Sequence, residues 1–362
     1  MALKNRPMSA QRAKIIGLGS YLPGLEVKNE DFLDWKFYDK NGPIDKPNEE
    51  IIRKFYEITN IKSRRYVEDH LVTSDIAAIA ARRALDDAGL DPEQLDYVIV
   101  GSNYGDVTPG SLYPDFVPSI AARVKYKLKI KNPGAVAFDI IFGCPGWLEG
   151  VIQAHLQMKA GVSRYALVIG AETLSRVRDP YSRDSMIFAD GAGAAVLELG
   201  DNPREGILSH LTHSYAYPEA ELLYNRASLN PEHDPSRKYI YMEGHKIYEF
   251  ALNRVPAAMK ACFDASGENI RELKKIFIHQ ANEKMDAAIV KRFFRLYGLA
   301  VPENIMPSNI EFMGNSSVAT IPTLMDQVKR GMIKGHQLQK GDLILLASVG
   351  AGMHVNAVTM RF

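Results

Sequence analysis

The sequence predicts an α/β protein assembled from two similar halves, and three observations carry that expectation. Apolar runs of strand length, such as Tyr97-Val-Ile-Val-Gly101 and Tyr165-Ala-Leu-Val-Ile-Gly170, alternate with segments of helical spacing. The order strand, long excursion, helix, strand then occurs a second time, and each half closes on a Gly/Ala-rich turn leading into a terminal strand. At 362 residues the chain also exceeds one ordinary core. The boundary is placed between Gly200 and Gly206, giving halves 1–203 and 204–362.

Taken in order, residues 1–14 carry Lys4, Arg6 and Arg12 but no apolar stretch, so they read as a flexible lead-in and not a secretory signal. Residues 13–23 form a strand running into a Gly/Pro turn. Residues 30–60 are broken by Asn41-Gly-Pro and Lys46-Pro into short pieces. Ser74 or Asp75 caps a helix that Gly89 ends. A strand over 95–101 follows, then a helix over 117–128, a strand over 136–142 and a strand over 165–172. Phe188-Ala-Asp-Gly-Ala-Gly-Ala feeds the last strand of the first half.

In the second half, a strand begins at Gly206 and residues 219–238 read as a long polar loop. A helix over 244–265 places Cys262 among apolar neighbours, where free cysteine is usually a core filler. A strand over 273–278 leads to Gln280-Ala-Asn and another helix. Gly314-Asn-Ser-Ser opens a further helix, in which Ser316 and Ser317 serve as starters. Two strands close the chain around Gly350-Ala-Gly-Met353.

Hydrophobic residues make up 46% and charged residues 24%, the balance of a soluble globular protein. A net charge of +1 supplies no global attraction to nucleic acid or an anionic membrane. No apolar run has the length of a membrane span. Two cysteines make no disulfide framework, which fits the cytoplasm. The nine histidines show no ligand spacing, so neither a metal nor a redox cofactor is expected.

Chemistry concentrates on Gly143-Cys144-Pro-Gly-Trp147, a turn between a buried strand and a helix. Unpaired N–H groups and the helix dipole at such a junction favour a thiolate. A buried structural cysteine is the other reading. His279 and Asn315 also stand at a strand end and a helix start, where an imidazole and an amide can serve a thiol nucleophile and a reacting carbonyl. Each also has a structural reading, as a satisfied core histidine and a helix cap.

The words Ile278-His-Gln-Ala-Asn282, Gly314-Asn-Ser-Ser-Val-Ala319 and Phe188-Ala-Asp-Gly-Ala-Gly, with the cysteine turn, occur in an order that resembles the β-ketoacyl-acyl carrier protein synthase III family of the thiolase superfamily, over residues 13–362. The resemblance implies a thiolase-like five-layer αβαβα sandwich of two duplicated halves, a homodimer and a decarboxylating Claisen condensation that initiates fatty-acid synthesis. It implies that Cys144 takes an acyl group and that His279 and Asn315 hold the malonyl thioester. The backbone N–H groups of Cys144 and Ala351 would form the oxyanion hole. Arg183, Gly244, His245, Tyr248, Asn282, Lys284 and Gly350 fall at substrate positions, and Phe116 and Val117 at the segment that closes the partner subunit's acyl pocket. For His245 a plain surface helix position remains the other reading.

Two departures bear on the donor. Glu50 and Ile58 stand where the family's coenzyme A clamp has a tryptophan and an arginine, and a glutamate there would repel polyphosphate. Acyl-CoA or an acyl carrier protein therefore remain the two donors. Lys284, Lys291, Arg292 and Arg295 lie along one helix, a docking patch for an acidic carrier protein or simply a solvated face. A specialised condensing enzyme making a pigment, resorcinol, quinolone or hydrocarbon is the alternative; a non-catalytic acyl-binding scaffold is a third. A biosynthetic thiolase would want a second cysteine near Gly350, which is missing.

Overall fold

The computed structural model describes residues 11–111 and 113–362. Most of the expected lead-in lies outside the described residues, but from Arg12 onward the chain is already strand. The main strands are β1 (Arg12–Tyr21), β2 (Tyr97–Gly101), β3 (Val136–Ile140), β4 (Tyr165–Thr173), β5 (Asp190–Gly200), β6 (Gly206–Ser214), β7 (Leu273–Ile278), β8 (Leu343–Gly350) and β9 (His354–Arg361). The main helices are α1 (Asn48–Thr59), α2 (Thr73–Ala88), α3 (Ile120–Lys127), α4 (Gly146–Lys159), α5 (Gly244–Ser266), α6 (Glu283–Arg295) and α7 (Thr320–Lys329).

The first sheet runs β1-β5-β4-β2-β3 and the second β6-β9-β8-β7. In both halves the first strand along the chain pairs antiparallel with the last, and the pair β2/β4 or β7/β8 is parallel. The second sheet has one strand fewer. Its outer position is held by an irregular segment whose Ile305 carbonyl accepts the Ile276 N–H at 2.8 Å. Twofold repetition is therefore real in strand order and incomplete at one edge.

Burial divides the elements into five layers. Ile76, Ala80 and Ala84 of α2 and Val124 of α3 cover one face of the first sheet. Trp147 and Val151 of α4, with Leu324 and Val328 of α7, fill the space between the sheets. Val255 and Met259 of α5, with Ile289 and Phe293 of α6, cover the far face of the second sheet. Strands covered on both faces carry continuous apolar runs, which explains why β4 and β8 read so plainly as strands.

Local chemistry shifts some boundaries. The α2 cap works from inside the first turn: Asp75 accepts the Val72 N–H at 3.0 Å, and Gly89 ends the helix in the left-handed region. Pro118 delays α3 until Ser119, whose hydroxyl accepts the Ala122 N–H. The stretch read as one polar loop over 219–238 contains a strand, Leu223–Arg226, paired antiparallel with Tyr239–Met242. Its apolar positions Leu223 and Ile240 were too sparse to show a strand period among charged neighbours.

One buried histidine gives the fold a pH signature. His155 of α4 is 4% exposed and its Nδ1 accepts the Ala13 N–H at 3.3 Å. Burial, then His210, Lys159 and Arg12, push its pKa down to about 3. Between that value and the ordinary 6.5, the unfolded chain binds a proton that the folded one refuses. The stability this group supplies is therefore full above pH 6.5 and lost progressively as pH falls toward 3. Urea midpoints measured from pH 7 down to pH 4 should fall less steeply for His155→Gln than for the unaltered protein; equal slopes would remove His155 from the account.

Candidate active site

Three strand ends converge on one cavity of about 350 Å³, which Cys144, His279, Asn315, Gly350 and Ala351 all line. Cys144 follows β3 in the turn before α4, His279 directly follows β7, and Gly350 ends β8. A site beyond the carboxyl ends of parallel strands is where α/β sheets place ligands.

The cysteine turn and the turn after β8 are in backbone contact. A Cβ added to Gly350 would sit 2.4 Å from the Cys144 nitrogen, and one added to Gly143 would sit 2.5 Å from the Ala351 nitrogen. Gly143 moreover has φ of 63°, which favours glycine. Both amides expected to hold an oxyanion thus meet at one seam. Gly350→Ala should wedge the seam open and lower acyl transfer to Cys144 by about 10²-fold, the cost of losing one such donor. Rapid-quench measurement of the acyl-enzyme checks this, and a rate within threefold of the unaltered protein would contradict it.

The electrostatics differ from the sequence expectation. Burial pushes the Cys144 thiol up to about 11, with Glu172 adding to the rise and the Ser317 hydroxyl opposing it. A helix N-terminus contributes only a fraction of the desolvation it faces here. Burial likewise pushes His279 down to about 4. The resting pair is neutral thiol and neutral imidazole.

Asn315 is pinned through its backbone, donating to the Ile187 carbonyl and accepting from the Ala189 N–H, each at 2.9 Å. Its Oδ1 accepts the Ser317 N–H at 2.8 Å, so the orientation of the amide is set. Ser317 does more than start a helix. Besides holding Asn315, its hydroxyl accepts Asn103 Nδ2 at 3.4 Å and draws the Cys144 pKa down against burial, and its carbonyl accepts the Thr320 hydroxyl at 3.0 Å. Thr320 Oγ1 in turn lies 2.8 Å from His279 Nδ1. One serine therefore touches or orients all three expected residues. Its φ of 52° is uncommon for a non-glycine residue.

Sequence reasoning also missed Glu172 and Asn103. Glu172 is fully buried at the end of β4, its Oε1 accepting the Asn103 N–H at 2.8 Å and Nδ2 at 2.7 Å. Burial pushes its pKa up to about 8. The available signal was a carboxylate closing an otherwise apolar strand.

A second cavity, about 610 Å³, shares Ile187, Met242, Ile247, Ala281 and Met285 with the first and forms its vestibule. Arg183, Gly244, His245, Tyr248 and Asn282 line it. Asn282 also caps α6, accepting the Met285 N–H at 3.1 Å. His245 lines the vestibule, and its side chain is 85% exposed beside Glu249. Lys284 does not reach this wall; its Nζ donates to the Glu57 carbonyl.

Ile58 lies on the vestibule wall but Glu50 does not, and Lys54, one turn away from each, does. Glu50 is held by Lys46 at 3.2 Å and Lys54 at 2.9 Å, both of which line the vestibule. The repulsion expected from Glu50 is thereby cancelled, because two cations surround one carboxylate.

On α6, Lys291 and Arg295 are exposed, while Arg292 is tied to the Leu252 carbonyl and Asn253 on α5. Phe116 and Val117 line neither cavity within this chain, and Val117 is 85% exposed. Among the described residues no group of three or more His, Cys, Asp and Glu is arranged to hold a metal ion, and no helix is long and apolar enough to cross a membrane.

Residues 138–216 match the family model for 3-oxoacyl-[acyl-carrier-protein] synthase III, and residues 263–362 match the model for its C-terminal part. The chain is 33% identical over 359 residues to the β-ketoacyl-[acyl-carrier-protein] synthase III of Neisseria meningitidis serogroup C strain FAM18, covering 97% of this chain and all of that protein. It is 31% identical to the synthase III 1 of Vibrio vulnificus YJ016, over 97% and 99% of the two chains. The crystal structure of the Aquifex aeolicus VF5 synthase III superposes with a TM-score of 0.78 at 30% identity, covering 97% of this chain and 100% of the other.

Proposed function

Because the chain belongs to the β-ketoacyl-acyl carrier protein synthase III family, we propose that it carries out a priming condensation in which Cys144 accepts an acyl group and His279 and Asn315 handle a malonyl thioester. The observation that carries this reading is the single cavity joining those three side chains to the seam of the Cys144 and Ala351 amides.

The chemistry follows from the resting state. A neutral thiol needs a base as it attacks, and the neutral His279 imidazole in the same cavity is the base at hand. Sγ bonds to the thioester carbonyl carbon while the Cys144 and Ala351 amides receive the oxyanion. The tetrahedral adduct then collapses, the donor sulfur leaving with the proton. In the second step the malonyl carbonyl lies against His279 and Asn315 as carbon dioxide departs. The enolate attacks the acyl carbon and Cys144 is released, taking up one proton. The product is a β-ketoacyl thioester, and the residues perform both steps without a cofactor.

The partners follow. Acyl-CoA or an acyl carrier protein thioester enters through the vestibule, where Lys46, Lys54 and Arg183 supply cations. Lys291 and Arg295, with Lys284 and the partly engaged Arg292, form the face that meets an acidic carrier protein. Ile141, 65% exposed and on the cavity wall, together with Phe116 and Val117, forms the contact of a homodimer. Residues 1–203 and 204–362 act as the duplicated halves. The cytoplasm is the compartment in which such substrates and free thiols coexist. The relatives named above are β-ketoacyl-[acyl-carrier-protein] synthases III, so a specialised condensation is not the reading adopted.

Incubation with malonyl carrier protein and an acyl-CoA or acyl carrier protein should release carbon dioxide and a β-ketoacyl carrier protein two carbons longer than the primer. Product formation with neither donor class across short to long chains would end this reading.

A further inference from the structure

The hydrogen-bond chain behind His279 has a polarity that decides which nitrogen does the work. Thr320 is 3% exposed and owns one hydroxyl proton. Its Oγ1 lies 3.0 Å from the Ser317 carbonyl, which can only accept, and 2.8 Å from His279 Nδ1. If the hydroxyl proton serves the carbonyl, the oxygen is left to accept from Nδ1–H. That arrangement satisfies both contacts at once. The opposite tautomer would put the single hydroxyl proton on Nδ1 and leave the Ser317 carbonyl without it.

We propose that Thr320 is a positioning residue for His279: committed to the Ser317 carbonyl, its hydroxyl holds the imidazole as the Nδ1–H tautomer and reserves Nε2 as the proton acceptor for Cys144. This inference rests on the reading of Cys144 as the acyl acceptor. Its proton balance is complete. The thiol proton passes to Nε2 as the S–C bond forms, and from Nε2 to the leaving donor sulfur as the old C–S bond breaks. The imidazole returns to its starting tautomer. The condensation consumes one proton from solvent acid overall: Nε2 carries it, offers it to the malonyl oxygen as the carboxylate leaves as carbon dioxide, and passes it to the Cys144 sulfur as the enolate carbon displaces that sulfur from the acyl carbon. Burial holds the ring neutral, so tautomer identity and not charge sets its role in acyl transfer.

Thr320→Val keeps the shape and removes the hydroxyl. A buried N–H without an acceptor is costly, so the ring should move its proton to Nε2, the atom that faces substrate. Acyl transfer should then fall by about 10²-fold or more, as wrong-tautomer variants of histidine bases do. Decarboxylation of a malonyl thioester by the acyl-free enzyme needs only a donor at Nε2 and should stay within about threefold. Thr320→Ser should restore acyl transfer.

Nitrogen-15 NMR of the histidine-labelled unaltered protein reads the tautomer with no substitution, and Nδ1–H is the expected state. An Nε2–H state there would overturn the proposal. So would a Thr320→Val enzyme in which both partial reactions fall together, or in which acyl transfer is unchanged. Failure of the unaltered protein to form any acyl-enzyme would instead strike the functional reading, with the NMR result standing on its own.

Discussion

His279→Ala is expected to slow the complete condensation by about 10³-fold or more while leaving the fold intact. The imidazole is 3% exposed, and among the described residues its side chain hydrogen-bonds Thr320 alone, so removing it leaves the Thr320–Ser317 contact in place. Its loss strikes both steps. Acyl transfer loses a general base, worth typically about 10²–10⁴. Decarboxylation loses one of two donors to the developing enolate, worth about 10²–10³, with Asn315 left in place. Single-turnover measurement of each partial reaction, alongside circular dichroism, checks the expectation. Activity within tenfold of the unaltered protein would show that the cavity's chemistry lies elsewhere.

Trp147→Ala is expected to destabilise the protein by about 3–5 kcal/mol, the range for truncating a fully buried aromatic side chain. Trp147 is 1% exposed in the layer between the sheets, and its indole N–H donates to the Val168 carbonyl at 3.2 Å. Truncation opens a cavity between the two sheets and removes that hydrogen bond. Because α4 begins two residues after Cys144, the nucleophile turn should loosen as well. A fall in the denaturant midpoint accompanied by slower Cys144 acylation is the expected pair. A loss below about 1 kcal/mol would mean that the neighbouring helix α7 closes over the gap.

The sequence made the architecture legible where one physical signal dominated. Strands buried on both faces, such as β4 and β8, read as apolar runs, and Gly89 marked a helix end because a left-handed terminus favours glycine. Where signals competed, the reading failed. The strand at Leu223 was hidden because its neighbours face water, and the missing outer strand of the second sheet left no gap in the sequence pattern.

Cys144, His279 and Asn315 were each singled out by their place at an element end, and their order along the chain tied them together. Their surroundings were not readable. The influence of Glu172 on Cys144 depends on three-dimensional proximity between β4 and the cysteine turn. Ser317 looked like a helix starter because serine usually is one; only the fold shows its N–H, hydroxyl and carbonyl each serving a different member of the site. The thiolate expected at Cys144 was a sound local inference, overruled by desolvation at the cavity wall. Glu50 looked repulsive in one dimension, yet Lys46 just before α1 and Lys54 one turn along it both pair with its carboxylate.

The most direct test of the central claim is intact-mass spectrometry of the protein after exposure to acyl-CoA and acyl carrier protein thioesters, with the adduct located by peptide mapping. The account predicts a single acyl increment on Cys144, absent from Cys144→Ala, and cleared when malonyl carrier protein is added. An unmodified Cys144 with every donor, or acylation at Cys262 instead, would contradict it.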